Sequence, residues 1–166
     1  MSGDDTRTLK RITDLKLDEK SIIRRNADIE HERRVAIFDL LEENYFAPVT
    51  TYAGDYPGPF RITLRIEDNR LAMDVKTTED ALLETVVVPL TPFRRIIKEY
   101  FLICDSYFKA IKTASPRQIE AIDMGRRGLH NEGSELLRER LGERVVVDHD
   151  TARRLFTLIC VLHIRA

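Results

Sequence analysis

The chain predicts an α+β fold, an antiparallel sheet of about three to five strands packed against a layer of about four helices. Three observations lead there. Ile62, Leu64 and Ile66 alternate with charged and polar neighbours, Asp68-Asn69 makes a turn, and Leu71, Met73 and Val75 resume the alternation. This is the pattern of an antiparallel hairpin with one buried and one wet face. From Thr91 onward the apolar residues switch to helical spacing. In the last segment, Leu155 to Ile164, only Thr157 and His163 are polar. A helix apolar nearly all round belongs at the centre of the helical layer.

In chain order, residues 1–8 are polar and expected to be mobile. Thr13, Leu15 and Leu17 alternate with Asp14, Lys16 and Asp18, which suits a half-buried strand, followed by a charged connection to Asn26. Asn26 or Asp28 can cap a helix that runs to about Tyr45. At roughly 100° per residue, Ala27, Val35, Phe38, Leu41 and Tyr45 share one stripe with His31. Residues from Phe46 to Tyr52 suit a short strand, and the Gly- and Pro-rich stretch from Gly54 to Pro59 a loop. A third meander strand is expected over Leu83 to Val88.

Thr91 is placed to cap a helix with Pro92 at its first position, and Phe93, Ile97, Tyr100, Phe101, Cys104, Phe108 and Ile111 keep helical spacing along it. Ser115-Pro116-Arg117-Gln118 repeats the logic as a capping box. The helix it opens should run from Pro116 to about Leu141 and close on Gly142. Val145 to Val147 is strand-like, and Asp148 or Asp150 caps the final helix.

Composition narrows the setting. With 166 residues, 43% hydrophobic and 33% charged, the chain is one globular domain over 1–166. A net charge of −1 argues against non-specific nucleic-acid binding. Cys104 and Cys160 sit in apolar surroundings and are expected to be reduced core thiols. No apolar run is long enough to span a bilayer, so a cytoplasmic protein without a membrane partner is expected.

The chemistry-bearing residues gather between Ile119 and Leu137. Three of the chain's seven glycines, Gly125, Gly128 and Gly133, fall there together with Asp123, Arg126, Arg127, His130, Asn131 and Glu132. On a continuous helix, Asp123, Arg126 and His130 lie on or beside the apolar arc, and Ala121, Gly125 and Gly128 form a small-residue stripe that admits a close neighbour. Two readings stand. In one, Asp123 pairs with Arg126 or Arg127 and His130 bonds a backbone carbonyl. In the other the same groups line a pocket, His130 serving as acid/base or ligand-binding group and Asp123 as its orienting carboxylate.

Arginine pairs strengthen the case for an anionic partner. Arg94-Arg95 and Arg153-Arg154 fall in first helical turns, the unfavourable end for a cation unless a carboxylate, water or a bound anion offsets it. No metal-binding spacing joins His31, His130, His149 and His163, no nucleophile elbow is present, and no motif calls for a cofactor.

The blocks Val35-Ala-Ile-Phe-Asp-Leu-Leu-Glu-Glu-Asn44, Leu90 to Cys104, Ile119 to Gly133 and Asp150 to His163 resemble an uncharacterised protein family of alphaproteobacteria. The resemblance covers the chain from about Leu15 onward. It implies a bacterial cytoplasmic protein and brings no catalytic residue, cofactor or substrate with it. The expected function is therefore a non-catalytic binding or regulatory protein. It would recognise an anionic small ligand or an acidic partner surface through Arg126, Arg127, Asn131, Glu132, Arg94, Arg95, Arg153 and Arg154. A small metal-independent enzyme using His130 and Asp123 is the alternative, and a role as a homo-oligomer or subunit a third.

Overall fold

The computed structural model describes residues 9–18, 27–50 and 55–163. The expectations for 1–8, for the connection through 19–26 and for 51–54 lie outside them. The described elements are β1 (Ile12–Leu17), α1 (Ala27–Glu42), β2 (Phe46–Pro48), β3 (Phe60–Glu67), β4 (Arg70–Lys76) and β5 (Leu82–Pro89). A 3-10 turn (Thr91–Phe93) then leads into α2 (Arg94–Thr113), α3 (Pro116–Leu141), β6 (Val145–Val147) and α4 (His149–His163).

The meander β3-β4-β5 forms as its alternation requires, with Leu64 opposite Met73 and Met73 opposite Val86. Inward residues Ile62, Leu64, Leu71, Met73, Val75, Val86 and Val88 are buried. The sheet is mixed, however, in the order β1-β3-β4-β5, because β1 pairs with β3 in parallel. Alternation fixes which side chains face the core but carries no strand direction. Here α1 and β2 lie between the two strands, long enough a crossover to return the chain in the same sense. A second, two-stranded sheet joins β2 to β6.

The free edge of β1 is closed by a side chain. Asn44 Oδ1 accepts from Ile12 N at 2.7 Å while its Nδ2 donates to Ile12 O at 2.9 Å and to Leu40 O at 2.8 Å. The amide thus stands in for one residue of a neighbouring strand, and Phe46 N extends the pairing to Lys10 O at 2.9 Å. Replacing Asn44 with Ala leaves the N–H and C=O of fully buried Ile12 unpaired. We expect chemical denaturation to show a loss of about 2–3 kcal/mol, and a loss under about 0.5 kcal/mol would sink this account.

Helix α4 is the central helix, as its composition demands. Leu155, Phe156, Leu158 and Ile159 are fully buried, and the helix packs on α1, α3 and β3. Asp148 caps it, its Oδ1 accepting from Thr151 N at 2.9 Å. The fully buried Thr151 hydroxyl accepts from Tyr45 N at 3.0 Å.

Helix α3 is continuous from Pro116 to Leu141, and both hydrogen bonds of the Ser115/Gln118 capping box form. Gly142 ends it with φ −57°, so the closure is right-handed rather than a left-handed glycine cap. Thr91 does not cap α2: a 3-10 turn intervenes, and the Thr91 hydroxyl accepts from Asn69 Nδ2 at 3.0 Å instead.

The stripe expected on α1 is rotated. Val35 is 43% and Phe38 67% exposed, whereas Ala36 and Leu40 are buried with Ile37 and Leu41 beside them. Apolar residues occur on several sides of this helix, so periodicity alone picks no unique face. The choice is made by tertiary packing, in which α1 lies against α4.

Candidate functional site

Two helices, α1 and α3, both lie on α4 and meet each other little. A cleft of about 670 Å³ opens where they diverge. One face of α1 contributes His31, Glu32, Val35, Ala36 and Asp39. Their spacing of one, four, five and eight residues is that of a single helical stripe. From α3 come Arg126, Arg127, His130 and Asn131, from α4 His149, Arg153, Arg154 and Thr157, and from α2 the ring of Tyr100. Four arginines and three histidines thus face two carboxylates.

The contacts show how the helices run. His130 meets Thr157 and Glu135 meets His149, so α3 and α4 are antiparallel; Arg154 Nη1 donates to Glu43 O at 3.4 Å while Tyr45 N, two residues on, donates to Thr151 nearer the start of α4, so the chain leaving α1 runs antiparallel to α4 as well. Arg153 and Arg154 therefore lie where α1 ends, and Arg126 lies where α1 begins, 3.9 Å from Glu32.

The two cationic ends differ in how fully they are neutralised. Arg126 donates to Asp123 Oδ1 through Nη2 at 2.7 Å and Nε at 3.2 Å, and stacks 4.5 Å over the Tyr107 ring. Arg127 takes the other Asp123 oxygen at 2.9 Å. The hydrogen bond from Arg126, with the charge of Arg127 added, holds the Asp123 carboxyl below the usual carboxylate range. These residues mainly tie α3 to α1 and α2. At the other end Arg153 has, among the described residues, only Asp150 within ion-pair distance, at 3.7 Å. Arg154 has no carboxylate within ion-pair distance among the described residues.

His130 sits between the two ends. Its ring lies against Tyr100 and Phe156, each with centroids 5.4 Å away, and its Nε2 is 2.7 Å from the Thr157 hydroxyl. Burial, then the charges of Arg153, Arg126 and His149, push its pKa down to about 4, so the imidazole is neutral near pH 7. Burial, with Glu32 next, likewise pushes the Tyr100 hydroxyl well above its ordinary value.

Asp123 and His130 are not brought together: the carboxylate is committed to the two arginines, and the imidazole to Thr157. The orienting dyad expected for the enzyme alternative is absent from this arrangement, and a base of such low pKa is a weak one. Of the other residues singled out, Arg126, Arg127, Asn131, Arg153 and Arg154 line the cleft. Arg95 lies outside it, paired with Glu99 at 2.8 Å and Glu132 at 2.5 Å, and exposed Arg94 is also outside.

His31, Glu32, Asp39, His149, Tyr100 and Thr157 join the site without having been assigned to it from sequence. Thr157 left a trace, being one of two polar residues in the apolar run of α4. His31 lies on the apolar stripe expected of α1, which marks it as inward-facing, whereas Asp39 leaves no such signal in the sequence. The thiols are as expected, free and buried. Burial pushes Cys104 up to about 11, leaving it unreactive. Among the described residues no three His, Cys, Asp or Glu side chains are grouped to hold a metal ion, and no helix is long and apolar enough to cross a membrane.

Fold and site together define an α+β protein with a cationic cleft between two helices laid on a buried third. The chain belongs to the uncharacterised protein family UPF0262, which it matches over residues 9–165. It is 60% identical over 156 residues to a UPF0262 protein of Paramagnetospirillum magneticum, covering 94% of this chain and 97% of the relative. To a UPF0262 protein of Rhodospirillum rubrum it is 58% identical over 154 residues, covering 93% and 92%. The alphaproteobacterial resemblance of the sequence blocks is thereby met. No solved structure matches the chain.

Proposed function

We propose that the protein is a non-catalytic binding protein whose cleft takes an anionic small ligand. The observation that carries this reading is the incomplete neutralisation of Arg153 and Arg154 in a concave site large enough for a metabolite. Guanidinium groups held within a cleft supply forked donors for a carboxylate or phosphate. Asn131 adds a neutral donor and acceptor, and Arg127, exposed and only half committed to Asp123, can close over the ligand. Tyr100, Val35 and Ala36 offer an apolar wall for the rest of the molecule.

A thermal-shift screen against phosphorylated metabolites and nucleotides tests this. A ligand at a hundredfold excess over its Kd stabilises by about 2.7 kcal/mol, or about 5–10 °C for a domain of this size. Arg154→Ala should abolish that shift while leaving the unliganded melting temperature within about 2 °C. Arg126→Ala is the wrong probe, because it would break the tie between α1 and α3. A panel with no stabilising compound, or shifts that survive Arg154→Ala, would sink the proposal.

A further inference from the structure

The hydrogen bonds of His130 assign its proton. Thr157 Oγ1 has one hydrogen and donates it to Arg153 O at 3.2 Å, within its own helix. With that hydrogen committed to Arg153 O, the geometry points to His130 Nε2–H as the donor in the 2.7 Å contact with Oγ1, an assignment that leaves the lone pair on Nδ1. Nδ1 makes no hydrogen bond among the described residues. Nor is it among the buried polar atoms without a partner, so solvent reaches it. The rings of Tyr100 and Phe156 hold the imidazole in place, and the low proton affinity already noted keeps it neutral. The middle of a cationic cleft therefore presents a fixed hydrogen-bond acceptor.

That combination is selective. An oxyanion without a proton would bring its own lone pairs against Nδ1. An oxyanion that keeps a hydroxyl can satisfy Arg153 and Arg154 with its charged oxygens and Nδ1 with its O–H. Building on the anion-site reading above, we propose that the cleft selects a phosphoryl group that still carries a proton, donated in a hydrogen bond to His130 Nδ1. Carboxylates and sulfates, fully ionised near neutrality, lack that donor. Inorganic phosphate keeps a hydroxyl throughout the neutral range, and a phosphomonoester, with a second pKa of about 6, keeps one in its monoanionic form. The cleft's volume of about 670 Å³ and the wall formed by Tyr100, Val35 and Ala36 exceed what a bare phosphate fills, which favours the monoester.

Calorimetric titrations with inorganic phosphate, sulfate and phenyl phosphate at about pH 6, the midpoint of the monoester's second ionisation, read this directly. Phosphate should bind at least about tenfold more tightly than sulfate, although sulfate carries more charge, because an unpaired site acceptor penalises the analogue lacking the donor. His130→Gln, whose amide can donate as well as accept, should bring the two anions to equal affinity. Phenyl phosphate binding more tightly than phosphate identifies a phosphomonoester as the occupant, and weaker binding identifies free phosphate. Equal or tighter binding of sulfate to the wild type, abolished by Arg154→Ala, would overturn the proton selectivity while leaving the anion site standing. Failure of all three anions to bind at millimolar concentration would overturn both. Independently of any ligand, long-range proton–nitrogen NMR should find His130 protonated at Nε2. A proton at Nδ1 overturns the inference.

Discussion

Gly133→Ala should destabilise the protein by about 2 kcal/mol, although alanine is the better helix former by about 1 kcal/mol. A Cβ at this position would lie 2.2 Å from Phe156 Cζ and 2.4 Å from its Cε2. Phe156 is fully buried in the centre of α4 and packed edge-on against Tyr100 at 6.0 Å and His130 at 5.4 Å, so its ring cannot swing without displacing those neighbours. Overpacking a filled core costs about 1–3 kcal/mol or more, and this contact is severe enough to exceed the helix-propensity gain. The measurement is equilibrium urea unfolding of three variants. Gly133→Ala should fall, and Phe156→Leu should fall for its lost packing. The double variant should be more stable than the sum of the two predicts, because the leucine vacates the space the new methyl needs. Strict additivity would mean that the glycine is present for some other reason. Gly128, with no atom within 4 Å of its virtual Cβ, is the control, and Gly128→Ala should be stabilising.

The second large effect is in the pH dependence of stability. The folded-state pKa of His130 is lowered from 6.5 to about 4. Between those values the unfolded chain binds a proton that the folded chain does not, so stability rises with pH across this window. The contribution is fully present above the unfolded pKa and is lost as pH falls from about 6.5 to 4. It amounts to about 3 kcal/mol at most, and no more is lost from this source at lower pH. Asp123 acts in a different window: its folded pKa is depressed, so its contribution is lost only below the ordinary carboxylate range. Denaturation midpoints of wild type and His130→Gln, measured from pH 7 to pH 4, separate the two. Wild type should lose markedly more stability than the variant. Parallel curves would show that His130 is not held neutral by the fold.

Both effects involve α3, whose start and approximate end are legible in the sequence but whose continuity through Gly125, Gly128 and Gly133 only the structure decides. Ser115, Pro116 and Gln118 specify its start by local hydrogen bonding and a fixed φ, and three interior glycines do not break it. What the glycines are for was legible only in part. The stripe of Ala121, Gly125 and Gly128 was marked for close approach. Gly125 does meet Ile103 of α2, but the tightest contact falls to Gly133, outside that stripe. Helical periodicity reports which residues share a face; it does not report which neighbour presses on that face.

The same division runs through the site. Arg126 and His130 stand out in the sequence because polar groups on or beside an apolar arc need a partner, and Arg153 and Arg154 stand out as cations expected in a first turn, although α4 begins at His149 and places them in its second. Which partner they find is a tertiary matter. Asp123 lies three and four residues before Arg126 and Arg127 and is captured by them, whereas His130 reaches Thr157 across the α3–α4 contact. His31 shares the stripe that periodicity picks out on α1, but Asp39 enters the cleft only because α1 buries Ala36 and Leu40 rather than Val35 and Phe38, a rotation that a helix apolar on several sides cannot encode by itself.

By itself the sequence determined the elements, the antiparallel meander and the central burial of α4. These follow from local chemistry: period-two and helical spacing, proline and capping positions, and an uninterrupted apolar run. The alphaproteobacterial family came separately, from the resemblance of whole sequence blocks. Only the tertiary structure decided that β1 joins the sheet in parallel, that α1 and α3 diverge over α4, and that Arg153 and Arg154 come to share a cleft with His130. These depend on which faces meet when long-range contacts form, and no property of a single segment contains that information.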